Sequence, residues 1–166
     1  MGISHRYYLS LGSNIEPERN LAGAIQRLRS FGEVQEISSV WESHAVGSDG
    51  PNFLNLCVGF AVPVGVSGLK RDIVESVETA LDRARTTDKN APRTIDIDIL
   101  MQDGQPLNLQ RWGHVFVILP MAEMLPDMPH PISGKRLEEE AIERGASTWI
   151  RRRPDTVKDW EEAGKA

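Results

Sequence analysis

The sequence contains the stretch Pro92-Arg93-Thr94-Ile95-Asp96-Ile97-Asp98-Ile99-Leu100, in which two aspartates alternate with isoleucines. Its β-branched and apolar residues favour a strand, although aspartate is normally depleted in strands. Alternation places Asp96 and Asp98 on one face and the isoleucines on the other. The two carboxylates could share divalent ions, and Mg²⁺ prefers such hard oxygen ligands. A strand with one solvated face explains the same pattern, so both interpretations stay open from this strand alone.

Three arginines lie just upstream of the acidic strand, at positions 83, 85 and 93. Arg93 directly precedes it, and a guanidinium matches phosphate oxygens bidentately. Arg83 and Arg85 follow a predicted helix, where cations also favour the helix dipole, so a structural role stays open for them. Carboxylates for a metal beside arginines for phosphate indicate phosphoryl transfer. The sequence has no Walker A motif, so it is not typical of a P-loop enzyme.

The segments around this strand predict an α+β fold. The order of predicted elements is β-α-β-β-α-β, the ferredoxin-like plan of an antiparallel sheet with helices packed on one face, here with extra C-terminal elements. Pro17 is favoured in the first turn of a helix, Gly32 ends that helix, and Ser67 caps the next one. The expected strands are 7–11, 34–42, 53–62 and 94–101, and further helices are expected around 120–125 and 136–144.

The predicted strand 53–62 has two unlike faces. One face carries large apolar residues and fits a hydrophobic core. The other face carries Phe53 and Asn55, followed by small residues that leave space above the sheet. The core-facing residues are Leu54, Leu56, Val58, Phe60 and Val62, and the others are Phe53, Asn55, Cys57, Gly59 and Ala61.

Length and charge narrow the class of protein further. The 166 residues are expected to form a single domain, 1–166, whose last part, about 150–166 with the arginines 151–153, forms a polar tail or a short helix. A formal net charge of −5 argues against nonspecific binding to nucleic acid or membranes. Cys57 is the only cysteine, which excludes an intrachain disulfide. We expect a cytoplasmic protein that is a monomer or a weak dimer.

Five further fragments accompany the run 92–98 in a fixed order along the chain. Together the six fragments resemble the 6-hydroxymethyl-7,8-dihydropterin pyrophosphokinase family, and the run 92–98 matches the family signature position for position. The other fragments are Gly12-Ser13-Asn14, then Gly47 with Phe53-Leu54-Asn55, then Glu78, then Arg83-Ala84-Arg85, and last Phe116 to Pro120 with Glu123 and Pro126.

The resemblance implies a Mg²⁺-dependent transfer of pyrophosphate from ATP to the hydroxymethyl group of a dihydropterin, with release of AMP, in folate biosynthesis. Asp96 and Asp98 would hold two Mg²⁺ ions, and Arg83 and Arg93 would act with them in catalysis. The implied pterin site comprises Ser43, Val46, Gly47, Phe53, Asn55 and Phe116. The implied ATP site comprises Glu78, Arg83, Arg85, Arg93, Ile99, Arg111 and His114.

Two places depart from the family pattern. Only Trp112-Gly113-His114-Val115 separates Arg111 from Phe116, fewer residues than the family has there. His114 therefore replaces a family histidine, takes the place of an arginine, or is a surface residue. The loop that usually contains Thr-Pro reads Ser43-His44-Ala45. A non-catalytic or altered-substrate homologue that binds a pterin or nucleotide stays open, whereas an RNA-binding domain is disfavoured by the negative charge.

Overall fold

The computed structural model describes residues 2–45, 49–82 and 94–163. The predicted residues Val46, Gly47, Arg83, Arg85 and Arg93 lie outside these ranges. Within them the chain forms a 7-stranded sheet and several helices. The strands are β1 His5–Ser13, β2 Glu33–Ile37, β3 Trp41–Ser43, β4 Phe53–Val62, β5 Asp96–Gln102, β6 Gln105–Pro106 and β7 Ile150–Arg152. The helices are α1 Pro17–Phe31, α2 Val66–Gly68, a π-helical segment Leu69–Val74, α3 Glu75–Ala80, a 3₁₀ helix Leu109–Gly113, α4 Val115–Met124, α5 Leu137–Ser147 and α6 Val157–Ala163.

The strands are ordered β6-β5-β1-β4-β3-β7, and β2 also pairs with β4. Each pairing is antiparallel. Helix α1 follows β1, and the helical segments from α2 to α3 follow β4, with β5 returning beside β1. The central strands therefore have the ferredoxin-like arrangement, and the predicted fold is confirmed.

The strand expected at 34–42 is divided into β2 and β3, which pair with successive parts of β4. Ser38 lies at the break. Its N–H donates to the carbonyl of Cys57, and its Oγ accepts a hydrogen bond from the N–H of Cys57, both at 2.9 Å. Because a side-chain oxygen replaces a backbone acceptor, the ladder is interrupted and resumes at Trp41.

Helices cover both faces of the sheet: those of the β-α-β-β-α-β plan lie on one face, as expected, and the extra C-terminal helix α4 lies on the other. On the first face, α1 and the helical segments 66–80 pack against the large apolar residues of β1 and β4. On the second face, α4 contributes Val117 and Met121, which pack with Tyr8 and Cys57. Helix α4 also begins at Val115, five residues before the expected start at Pro120. The run 115–121 is apolar enough to be buried as a helix of its own.

The C-terminal segment is part of the sheet and of the hydrophobic core. Strand β7 pairs with β3 at the edge of the sheet, so Arg151 and Arg152 belong to a strand and not to a free tail. Helix α6 packs against α1, and its Val157 is buried in the core on the first face of the sheet. In the described ranges, no helix combines the length and apolar character needed to cross a membrane.

Candidate active site

Two rows of side chains cross the second face of the sheet. Asp96 lies opposite Gly12, and Gly12 lies opposite Asn55. In the neighbouring row, Asp98 lies opposite Ser10, which lies opposite Cys57. Residues that oppose each other in antiparallel strands share a face and lie roughly 4.5–5.5 Å apart at their Cα atoms. Asp96 and Asn55 therefore lie about 10 Å apart at their Cα atoms on one surface, with Gly12 between them.

Asn55 is held in place by β3. It is 3% exposed, and its Nδ2 donates to Ser43 Oγ at 2.9 Å and to the carbonyl of Trp41 at 3.2 Å. Its Oδ1 consequently faces β1, 3.1 Å from where a Cβ on Gly12 would lie. A carbonyl oxygen fixed in this way can accept a hydrogen bond from the N–H group of a ligand.

Phe53 begins β4 beside the same glycine. Its Cδ1 lies 3.6 Å from the position of a Gly12 Cβ, and the residue lies opposite Ser43 in the β3–β4 pair. The predicted residues Ser43, Phe53 and Asn55 are thus brought together at one end of β4. Gly12 has no side chain, which lets Asn55 and Phe53 lie close to β1.

The carboxylates Asp96 and Asp98 are half-buried at the start of β5. Arg111 approaches from the 3₁₀ helix, with its Nε 3.4 Å from Asp98 Oδ1. Glu78 of α3 is 4% exposed and accepts a hydrogen bond from the N–H of Ile97 at 3.2 Å. Glu78 therefore fixes the backbone between the two aspartates.

The donor set fits Mg²⁺. Across the described residues, no group of three or more His, Cys, Asp or Glu side chains is arranged to hold a metal ion. Asp96 and Asp98 are a pair, and Mg²⁺ typically binds one or two carboxylates while its other positions are filled by waters and substrate phosphates. A pair of partly exposed carboxylates leaves those positions available.

A cleft of about 900 Å³ opens beside this pair, within the range of ligand pockets. One wall is helical and presents Val66, Lys70, Val74 and Glu78. The others come from β5, including Ile99, and from residues 107–111. The walls combine apolar side chains with the cations Lys70 and Arg111, and that mixture suits a nucleotide, which has an apolar base and charged phosphates.

Lys70 was not predicted as a site residue. It shares the cleft wall with Val66, Val74 and Glu78, each four positions from the next. In a regular α-helix a four-residue step advances about 40° beyond a full turn, so such a row drifts around the helix. The π-helical segment Leu69–Val74 has more residues per turn and offsets this drift. The four-residue spacing alone was a usable signal, but the π-helical segment was not visible in the sequence.

His114 and Phe116 form a stacked pair with ring centroids 4.7 Å apart and planes at 15°. Burial lowers the pKa of His114 below its ordinary value of 6.5, and the charges of Arg111 and Arg144 lower the pKa further. His114 is therefore uncharged at neutral pH. At the start of α4 the stack thus brings together two residues predicted from the sequence, His114 for ATP and Phe116 for the pterin.

A contact between α4 and β3 supports this arrangement, and it was not predicted from the sequence. Glu123 Oε1 accepts a hydrogen bond from Trp41 Nε1 at 2.6 Å, and Oε2 accepts one from Ser39 Oγ at 2.7 Å. Trp41 is the residue whose carbonyl holds Asn55. Glu123 thus links the helix that carries Phe116 to the strand that positions Asn55.

Known proteins resemble this chain in sequence and in fold. Residues 8–132 match the family model described as 7,8-dihydro-6-hydroxymethylpterin-pyrophosphokinase. The 2-amino-4-hydroxy-6-hydroxymethyldihydropteridine pyrophosphokinase of Synechocystis is 33% identical over 144 residues, which cover 80% of this chain and 73% of that protein. The enzyme of the same name from Aquifex aeolicus is 34% identical over 145 residues, which cover 80% of this chain and 88% of that protein.

Among solved structures, the fold is similar to a Plasmodium falciparum HPPK-DHPS triple mutant with pteroate, with a TM-score of 0.64 and 12% identity. The match covers 87% of this chain but 44% of that chain, so this protein spans less than half of it. At this identity the likeness supports the fold alone. The family match and the two pyrophosphokinase relatives, by contrast, cover most of the sequence, and they show that the chain belongs to the 6-hydroxymethyl-7,8-dihydropterin pyrophosphokinase family.

Proposed function

We propose that this chain transfers the pyrophosphoryl group of ATP to the hydroxymethyl oxygen of 6-hydroxymethyl-7,8-dihydropterin in folate biosynthesis, and that AMP leaves. The observation that carries the proposal is the row Asp96–Gly12–Asn55. In this row a hydrogen-bonding amide lies about 10 Å from Asp96, a span that suits a flat two-ring ligand with its reactive arm toward the acidic end.

In this proposal the pterin ring lies between Phe53 and Phe116, and Asn55 Oδ1 accepts a hydrogen bond from a ring N–H. The hydrogen bonds from Asn55 to Ser43 and Trp41 support this role, because they fix the amide before the ligand arrives. Preorganisation of this kind reduces the free energy spent on ordering the site.

Asp96 and Asp98 would hold Mg²⁺, and the metal, when bound, offsets the negative charge of the phosphates. Arg111 is 41% exposed and pairs with Asp98, so its guanidinium can turn toward the phosphates of ATP. Ile99 and Glu78 lie in the walls of the cleft beside it. In the reaction the hydroxymethyl oxygen gives its proton to solvent and bonds to the β-phosphorus. The bond from that phosphorus to the oxygen shared with the α-phosphorus breaks, and AMP keeps that oxygen.

The assignments of Arg83, Arg85 and Arg93 to ATP, and of Val46 and Gly47 to the pterin, stay part of the proposal. The same holds for the single-domain organisation, a cytoplasmic location, and a monomer or weak dimer.

The deciding experiment measures AMP after incubation of the protein with ATP, Mg²⁺ and the dihydropterin. We expect AMP only when the pterin is present, and none from Asp98→Asn. Asp127→Asn is the matched control, because Asp127 is 82% exposed and pairs with Arg136 outside the site. AMP formation that is independent of the pterin would contradict pyrophosphoryl transfer to it.

A non-catalytic relative is the second candidate, favoured by the short segment between Arg111 and Phe116. This candidate predicts that the pterin binds while no AMP forms at any concentration of ATP.

A further inference from the structure

Trp149 makes an unusual contact for a surface residue. It is 44% exposed, yet its ring stacks on that of His44, with centroids 4.2 Å apart and planes at 15°. Trp149 directly precedes β7, and His44 directly follows β3. The stack therefore joins the C-terminal strand to the first residue of the segment that leaves the sheet after Ser43.

The far end of that segment is joined to the same place. Asn52 Oδ1 lies 3.1 Å from His44 Nδ1, and Asn52 Nδ2 donates to Glu42 Oε2 at 2.9 Å. Asn52 directly precedes Phe53, the first residue of β4. Asn52 thus connects the end of the segment to its beginning and to β3.

Strand β7 completes this network through its arginines. Arg151 Nη2 and Arg153 Nη1 both donate to Glu42 Oε1, at 3.1 and 3.2 Å. The guanidinium carbon of Arg151 also lies 5.8 Å from the centre of the Trp149 ring, within range of a cation–π contact. The hydrogen bond from Asn52 lowers the pKa of Glu42, as do the two arginines, so Glu42 is charged at neutral pH.

We propose that residues 149–153 are a positioning element for the pterin site. Trp149 holds His44 directly, and Arg151 and Arg153 hold Glu42, the partner of Asn52. Both ends of the segment 44–52 are thereby fixed, and with them the orientation of the flanking residues Ser43 and Phe53. The inference rests on the proposed function, since it assigns those two residues to the pterin. Residues 149–153 lie outside the region 8–132 that matches the family model, so the element is a feature of this chain beyond that match.

The test compares Trp149→Ala with Trp149→Phe. Loss of the stack should raise the KM for the pterin about three- to tenfold, as expected for one aromatic pair, and leave the KM for ATP within about twofold. Trp149→Phe keeps a stacking ring and should behave like the parent. The kcat should change little in both, because no group at the reacting atoms is altered.

A second pair of variants separates positioning from charge. Arg151→Ala removes contacts to Glu42 and Trp149, whereas Arg152→Ala removes the same charge from the opposite side of β7. We expect a higher KM for the pterin from the first variant alone. An equal rise for both substrates, or an unchanged pterin KM in Trp149→Ala, would overturn the inference.

Direct titration with the dihydropterin distinguishes this result from failure of the proposed function. If the parent protein binds no pterin, the proposed function falls and the inference falls with it. If the parent binds pterin and forms AMP while Trp149→Ala is unaltered, only the positioning role is wrong.

Discussion

Gly12 determines how closely β1 approaches Asn55 and Phe53. A methyl group at this position would lie 3.1 Å from Asn55 Oδ1 and 3.6 Å from Phe53 Cδ1. The first distance is shorter than an ordinary contact, so Asn55 would have to move. Since both amide hydrogens of Asn55 are held by β3, that movement would disturb the hydrogen bonds that orient Oδ1.

Gly12→Ala should therefore weaken pterin binding by about 1–3 kcal/mol, the usual effect of overpacking. ATP binding should change little, because the cleft beside Lys70 and Arg111 is not touched. Gly59→Ala is the matched control: its methyl would meet Tyr8 at an ordinary 3.5 Å on the same face of the sheet. Separate titrations with each ligand check this, and equal weakening in both variants would contradict it.

His114 makes the stability of the folded protein depend on pH. Its pKa is lowered in the folded protein, by burial first and then by the charges of Arg111 and Arg144, so the unfolded chain binds a proton more readily. The folding stability associated with His114 is present above pH 6.5 and is lost as the pH falls from 6.5 toward the lower folded-state pKa.

His114→Gln should remove this contribution to the acid sensitivity. Urea unfolding of the parent and the variant at several pH values between 5 and 8 measures it, and the difference between the two curves isolates His114 from the other histidines. We expect the free energy of unfolding of the parent to fall more steeply below pH 6.5. Parallel curves would show that folding does not lower the pKa of His114.

Among the elements, α4 matters because it carries Phe116 and is bonded to β3, the strand that holds Asn55. It begins at Val115, just after His114, and carries Phe116 and Glu123 on its length. Glu123 receives hydrogen bonds from Trp41 and Ser39, which lie at the start of β3 and just before it. Trp41 also packs against the apolar residues of α4, so packing and the hydrogen bonds to Glu123 together fix the helix relative to the strand that holds Asn55.

Glu123→Ala should lower the free energy of unfolding by about 1 kcal/mol and weaken pterin binding more than ATP binding. Glu143→Ala is the control, since Glu143 forms an exposed pair with Lys135 that is worth little. Chemical denaturation and ligand titration of both variants give the comparison. Loss of stability with unchanged pterin affinity would show that Glu123 has a purely structural role.

The periodicity of the sequence predicted the elements better than their ends. The strand with Asp96 and Asp98 followed from simple alternation, and so did the position of Asn55 opposite the core. The break at Ser38 did not, because a serine that replaces a backbone acceptor looks like any solvent-facing serine. The pairing of Glu123 with Trp41 joins residues 82 positions apart, and one sequence holds no local signal for such a contact.

At the scale of the whole molecule, the short segment between Arg111 and Phe116 is tied through Trp112 to the core on the second face of the sheet. Trp112 is fully buried, and its Nε1 donates to the carbonyls of Leu100 and Leu107, each at 3.2 Å. His130 is also buried, and its Nε2 lies 2.6 Å from the carbonyl oxygen of Trp112. The segment between Arg111 and Phe116 is therefore anchored at its first residue, and a test of its length must keep that residue.

We expect the short segment to make ATP the more weakly bound substrate, because fewer groups close over the nucleotide while Phe53, Asn55 and Phe116 remain in place. An insertion between Gly113 and His114 tests this best, since Trp112 stays in the core and, among the described residues other than its chain neighbours, no atom lies within 4 Å of a Cβ built on Gly113. A longer segment of the kind expected for the family should lower the KM for ATP and leave pterin affinity unchanged. A Gly-Ser insertion of equal length is the control for length alone. Weak pterin binding with ordinary ATP binding in the parent would contradict this expectation. An insertion that improves neither ATP binding nor turnover would show that the short segment is a neutral variation.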